Sequence, residues 1–333
     1  MAYLKRFLYL IAILIFAATA AMTIYFGKET FHVTEIAAGK TDSKHTYHFV
    51  LIPEELDNEY WSLVQEGAQD AAEEHGVSLE FLGPKQANID EHLKTIDMAI
   101  AGQVDGLLTQ GIVDQEFTPL LNKAVEKGIP VVTIDTDAPN SERSVYIGTD
   151  NYYAGFLAGK ALMADTKGPQ TVGVITGSFE ASHQKLRVQG FLDAIKSESR
   201  IKVAAQKESN ITKAGAVKAA YEFFQEYPEL NALYGTSALD GIGIAQVAEY
   251  LKKDKRTYVI GFDTLPETLK YIEKGTIQAT VVQYPYQMGY KGVETLLQIK
   301  KGLKPNPVQH TETAIIREYD LPLTPAKPEG ARQ

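Results

Sequence analysis

The chain has 333 residues, 44% of them hydrophobic, with 42 acidic and 33 basic side chains giving a formal charge of −9. That length and apolar content suffice for two domains of ordinary size, while the acidic balance argues against nucleic acid as a partner, since its binders gather Lys and Arg against phosphate. The absence of cysteine excludes disulfides, thiolate zinc sites, iron–sulfur clusters, cysteine nucleophiles and a lipid-bearing Cys together.

Residues 1–6 form a short N-terminus ending in Lys5 and Arg6, and the uncharged run FLYLIAILIFAATAAMTIYF follows at 7–26. A helix of that length rises about 30 Å, the thickness of the hydrocarbon core, and the flanking positive charge favours a cytoplasmic N-terminus. We expect a single-pass transmembrane anchor in the cell membrane with the rest of the chain extracytoplasmic. The alternative is a cleaved signal peptide, because Ala18, Thr19 and Ala20 fit a small-residue cleavage site; cleavage would leave a secreted or periplasmic protein. Against it, the apolar run continues through Ile24, Tyr25 and Phe26, beyond the roughly 7 to 15 residues of a signal core. Residues 27–46 read as a linker of mixed composition, and the Pro-rich stretch 321–333 as a flexible tail.

From Tyr47, short β-rich runs alternate with helical periods. YHFVLIP precedes a helix over 59–75, with Trp61, Val64, Ala68 and Ala71 on one face and Gly76 as its stop. VSLEFLG leads to a helix over 90–102, VDGLLTQ to a helix over 117–127, and IPVVTIDT closes this first set. After SVYIGTDN the rhythm restarts with a helix over 152–164, QTVGVITG, a helix over 183–197, IKVAAQKE, a helix over 212–227 and NALYGTS. A helix over 241–252, RTYVIGFD, the helix LPETLKYIEKG, the strand TIQATVVQYP and a helix over 286–301 complete it. Such alternation implies parallel sheets covered on both faces by helices. The expected fold is α/β, with two Rossmann-like lobes.

Two of these strands are near-twins: VVTIDT at 131–136 and VIGFDT at 259–264 each end an apolar run on a carboxylate. In open α/β sheets ligands bind beyond the carboxyl ends of the strands, so a polar residue there can face a cleft while its strand stays buried. The strand-end set comprises Asn58, Tyr60 and Trp61, then Asp135, Thr136 and Asp137, Arg187, Ser237 and Asp240, Asp263, and Gln283 with Tyr284. Carboxylates, amides and a guanidinium beside aromatic faces suit a neutral polyhydroxylated ligand. Plainer readings stand beside this one. Asp135 and Asp263 fit turn or cap positions, Tyr60 and Trp61 fit a core, Asp240 fits the cap of a helix at Gly241, and His183 fits a helix surface. Asp135 and Asp137 also match the acidic pair of metal-dependent glycosyltransferases. With no phosphate cradle, nucleophile elbow or HExxH pair, the expectation is no cofactor, no metal and no catalytic residue.

The segments LDNEYWSLVQEGAQDAA, IPVVTIDTDAP, YIGTDNYYAG, HQKLRVQGF, VIGFDTLPE and ATVVQYPYQMGYKGVE, in this order and spacing, resemble the type I periplasmic sugar-binding proteins of bacteria, ribose-binding-protein-like, over about 47–320. The resemblance implies that Asn58, Asp135, Arg187, Asp263 and Gln283 are polar sugar ligands and that Tyr60 and Trp61 stack on the ring. Three positions depart from the ribose pattern: Thr136 stands in place of Arg, Ser237 in place of Asn, and Asn210 near a third aromatic; Asp240 is the candidate for the missing polar contact. It also implies an N-terminal lobe of 47–149 with 284–312, a C-terminal lobe of 150–283, a third hinge crossing at 313–320, and closure around ligand. The expected function is binding of a monosaccharide, pentose or hexose, without catalysis, and presentation of the loaded form to a membrane histidine kinase. The alternatives are the binding component of a sugar ABC transporter and its permease and, disfavoured because no helix-turn-helix precedes the core, a LacI-type regulator. On this reading Arg187→Ala and Asp263→Ala each weaken binding by about 2 kcal/mol or more and leave folding little affected.

Overall fold

The computed structural model describes residues 47–322 together with the isolated positions 6, 16, 19 and 22. The expected anchor at 7–26, the linker at 27–46 and the tail beyond 322 therefore lie, but for those positions, outside the described residues. Among the described residues no helix is long and apolar enough to cross a membrane. The described residues 47–322 fall in one compact unit, and it carries everything below.

Two six-stranded sheets share one winding. The first contains β1 (His48–Ile52), β2 (Ser78–Phe81), β3 (Gly106–Thr109), β4 (Val131–Ile134), β5 (Val145–Thr149) and β11 (Val308–Thr311), in the order β11-β5-β4-β3-β1-β2. The second contains β6 (Gln170–Thr176), β7 (Ile201–Glu208), β8 (Ala232–Gly235), β9 (Tyr258–Phe262), β10 (Ala279–Val282) and β12 (Ala314–Ile316), in the order β12-β10-β9-β8-β6-β7. Every pairing is parallel except β12 with β10. The chain passes between the sheets after β5, after β10 and after β11, so each lobe is discontinuous.

Helices α1 (Glu59–His75), α2 (Ile89–Ala101), α3 (Asp114–Glu126) and α9 (Pro285–Lys300) cover the first sheet. On β1, Phe49 and Leu51 pack with Trp61, Val64 and Leu296, while Val50 and Ile52 pack with Ile96, Ile100 and Phe117. Both faces are thus buried, which is why the strand reads as an unbroken apolar run. The second sheet is covered by α4 (Asn151–Asp165), α5 (Ser182–Ile195), α6 (Lys213–Glu226), α7 (Ala238–Tyr250) and α8 (Pro266–Glu273). Its two cores centre on Val174, Phe191, Tyr234 and Phe262 on one face and on Phe223, Leu233, Ile242 and Val259 on the other.

Local chemistry sets the helix ends. Asn58 accepts from the Tyr60 N–H and Asp150 from the Tyr153 N–H, and Gly76 ends α1 in the left-handed conformation at φ 66°. One close approach recurs in both lobes. A Cβ on Gly67 or Gly289 would lie 2.0 or 1.9 Å from a carbonyl oxygen across the α1–α9 contact. On Gly155 or Gly190 it would lie 1.9 or 2.0 Å from one across α4–α5. The helices that open onto the strand ends are therefore seated backbone to backbone.

Candidate ligand-binding cleft

The twin strands end in the same backbone device. Asp135 follows β4 and Asp263 follows β9, and both adopt positive φ, 61° and 65°, a region where Asp is tolerated better than most residues. The Asp135 N–H bonds Ile147 O at 3.0 Å and the Asp263 N–H bonds Val281 O at 2.7 Å, each reaching the neighbouring strand. Their carbonyls are held in turn, by the Tyr146 hydroxyl at 2.9 Å and the Thr280 hydroxyl at 2.8 Å. Each turn lifts a carboxylate off the end of its sheet, and the two carboxylates line one cavity between the lobes.

That cavity is narrow, with about 50 Å³ of water-accessible space, and is lined by Asn58, Tyr60, Trp61, Asp135, Arg187, Ser237, Asp263 and Gln283. Asp135 is buried and receives the Tyr60 hydroxyl at 2.7 Å, the Gln110 amide at 3.0 Å and the Thr136 hydroxyl at 2.9 Å. Tyr60 stays a neutral donor, because burial and then the charges of Asp135 and Asp263 push its phenol well above the ordinary value. Its ring meets Trp61 edge to face at 5.3 Å, leaving an aromatic wall on the first lobe.

The second lobe builds its wall around Arg187, which is 3% exposed. The guanidinium donates to Asn151 Oδ1 at 2.8 Å, Thr236 O at 2.9 Å and Gln283 Oε1 at 2.9 Å, and it lies 3.9 Å over the Phe262 ring. Gln283 accepts from Thr149 at 2.9 Å and passes its own amide hydrogen to Asp263 at 2.8 Å. Burial pushes the Asp263 carboxyl up to about 6, against the opposing pull of Arg187 and Gln283. Charged oxygens, a fixed guanidinium and aromatic faces at one point can hold hydroxyls and the C–H face of a ring at once.

Three residues expected in this site stand elsewhere. Thr136 is fully buried behind Asp135 and hydrogen-bonds His183 Nδ1 at 2.9 Å. Asn210 is exposed at φ 55°, and the next residue, Ile211, also at φ 55°, lines the cavity instead. Asp240 is buried in the first turn of α7, where it accepts the Ser237 N–H at 3.0 Å, so its place in the fold is that of a cap partner. Asp137 is likewise engaged away from the cavity, in an ion pair with Arg143.

Other lining residues were not singled out by the sequence reading: Glu54, Glu55, Gln184, Ile211 and Ala238. His183, expected on a helix surface, is 5% exposed and faces the cavity. The reason is that the start of α5 wedges between the lobes. Ala181 packs with Ile112 and Ala138 of the first lobe, and the Ser182 N–H reaches Ile112 O at 3.3 Å. Burial, reinforced by Arg187, drives the His183 imidazole down to about 4, so it is neutral at physiological pH. Glu54 and Glu55 follow β1 in the same strand-end loop as Asn58, and that position was the available signal.

Residues 49–304 match the family described as periplasmic binding protein domain. Among solved structures the chain is similar to GanP, a glucose-galactose binding protein from Geobacillus stearothermophilus, at 57% identity and TM-score 0.82, over 84% of this chain and 100% of that one. It is also similar to a chain of the XylFII-LytSN complex, at 36% identity and TM-score 0.79, over 83% of this chain and 99% of that one. The D-allose-binding periplasmic protein of Escherichia coli K12 is 25% identical over 270 residues, 78% of this chain and 86% of that protein.

Proposed function

The chain belongs to the type I periplasmic binding proteins, and we propose that it binds an aldohexose of the glucose–galactose kind between its lobes and presents the closed, loaded form to a membrane partner. It is a sugar-binding protein of the periplasmic type and not an enzyme. The observation that carries the reading is the convergence of Asp135, Tyr60 and Trp61 from one lobe with Asp263, Arg187 and Gln283 from the other on a single cavity. A sugar held by both walls favours the closed state, because only contacts that differ between open and closed forms shift the balance. Hexose is favoured over pentose by the likeness to GanP, whose name gives its sugars as glucose and galactose.

The proposed partner is a membrane histidine kinase. The occurrence of a similar chain in a complex with a second protein, LytSN, supports a protein partner for the binding body. Retention of the 7–26 run as an anchor belongs to the same proposal, since tethering raises the effective concentration of binder beside its target and lets a weak contact suffice. The test uses the full chain in mild detergent. Calorimetric titration with glucose, galactose, allose and ribose should give saturable binding, tightest for a hexose; no binding to any of them by folded protein refutes the sugar assignment. Co-purification with and without that sugar then separates the roles: a recovered kinase supports sensing, and permease subunits alone support transport.

A further inference from the structure

We propose that Glu54 is a specificity-determining ligand contact that works as a neutral carboxylic acid, donating its proton to an oxygen of the bound sugar. The proposal rests on the sugar-binding reading above and adds a residue and a protonation state to it. Glu54 follows Pro53 at the end of β1, is 8% exposed and lines the cavity. Its backbone is pinned, since its N–H donates to Gln110 Oε1 at 2.7 Å while the Gln110 amide holds Asp135. The carboxyl itself receives nothing. Asp135 has donors in Tyr60, Gln110 and Thr136, Asp263 has Gln283 and Glu55 has Asn58, but among the described residues no group hydrogen-bonds the Glu54 side chain.

The groups facing Glu54 explain its state. Glu55 beside it and Asp135 from the end of β4 oppose a further negative charge, and Asp263 after β9 shares the cavity. Arg187 and His183 of α5 and Tyr60 of α1 are the remaining titratable groups there. Arg187 directs its fork to Asn151, Thr236 and Gln283, His183 is neutral, and the Tyr60 hydroxyl is committed as a hydrogen-bond donor to Asp135. Burial, then Glu55 and Asp135, push the Glu54 carboxyl up to about 8. A neutral carboxyl has one hydrogen to donate, and the protein offers it no acceptor. A pyranose does: its ring oxygen can only accept, and Asp135, Asp263 and Glu55 can satisfy only its hydroxyl hydrogens.

A hydrogen bond to the neutral form raises the acid's affinity for its proton further in the complex. Sugar affinity is then level from about pH 7, where Asp263 is ionised, to about pH 8 and falls above that by about tenfold per pH unit, until the acid of the complex also ionises. The experiment titrates the full chain with galactose from about pH 6.5 to 9.5, alongside Glu54→Gln and Glu54→Ala. The expected result is an alkaline fall in the parent, none in either variant, and a smaller loss at neutral pH for Gln, which keeps a neutral donor, than for Ala. Level affinity in the parent, or a fall that persists in Glu54→Gln, overturns the proposal and leaves sugar binding standing. Failure of the parent to bind any sugar removes both.

Discussion

Arg187→Ala tests how far the cleft and the fold share one scaffold. The expectation that this change spares folding is amended by the structure, because the guanidinium is 3% exposed and bonded to Asn151, Thr236 and Gln283. Truncation leaves Asn151 Oδ1 and Thr236 O without these donors and strips the positive charge that faces Asp263. Hydrogen bonds to a charged group contribute about 1.5–3 kcal/mol each, but their sum overshoots, since the buried guanidinium carries its own desolvation cost. Breaking a buried charged network by removing one partner costs about 3–5 kcal/mol. For a body of this size that is a fall in melting temperature on the order of 10 °C. Differential scanning fluorimetry of the full chain at pH 7 reads it, and titration with galactose on the same samples should show binding weakened by about 2 kcal/mol or more. A variant that melts within about 2 °C of the parent refutes the scaffold argument.

Glu54→Gln should stabilise the unliganded protein in one pH window only. Below its ordinary value of 4.5 the carboxyl is neutral folded or unfolded; between 4.5 and about 8 the unfolded chain ionises while the folded one does not, so stability is lost as pH rises. The Gln variant escapes that loss, with equal melting at pH 4 and a gain on the order of 3–5 kcal/mol above pH 8; a gain at acid pH, or none anywhere, contradicts the burial of this acid. Gly155→Ala places a Cβ 1.9 Å from the Arg187 carbonyl oxygen, and overpacking of about 1–3 kcal/mol should exceed the roughly 1 kcal/mol helix gain. Thermal melts and galactose titration should therefore fall together, and a more stable variant with parental affinity would show that the helices can part freely. Asn210→Ala changes an exposed side chain and should alter galactose affinity by less than about twofold; a tenfold loss would return Asn210 to the site.

Much of the fold was legible because local rules and burial agreed. Strands covered on both faces read as apolar runs, and Gly76 marked the end of α1 at the residue level. At one boundary capping chemistry accounts for the difference: α7 starts at Ala238, ahead of the expected Gly241, because Ser237 and Asp240 share its first turn. The strand-end rule led to the residues of the cleft from either lobe, since Asp135 and Asp263 occupy equivalent turns. It was blind to anything that depends on the opposite lobe. Glu54 and Glu55 look like solvent-facing acids until the second lobe covers them, and His183 looks like a surface residue until α5 is seen wedged against Ile112 and Ala138. Asn210 and Ile211 exchange roles because consecutive positive φ values turn the second side chain inward, a backbone choice that side-chain chemistry does not announce.

The central claim is that one sugar is gripped by both lobes at their strand ends. A crystal structure of the protein grown with saturating galactose tests it most directly. The account predicts one pyranose in the cavity, bonded to Asp263 and Arg187 on one side and packed against Tyr60 and Trp61 on the other. An empty cleft, or galactose held by one lobe alone away from Asp135 and Asp263, would contradict it.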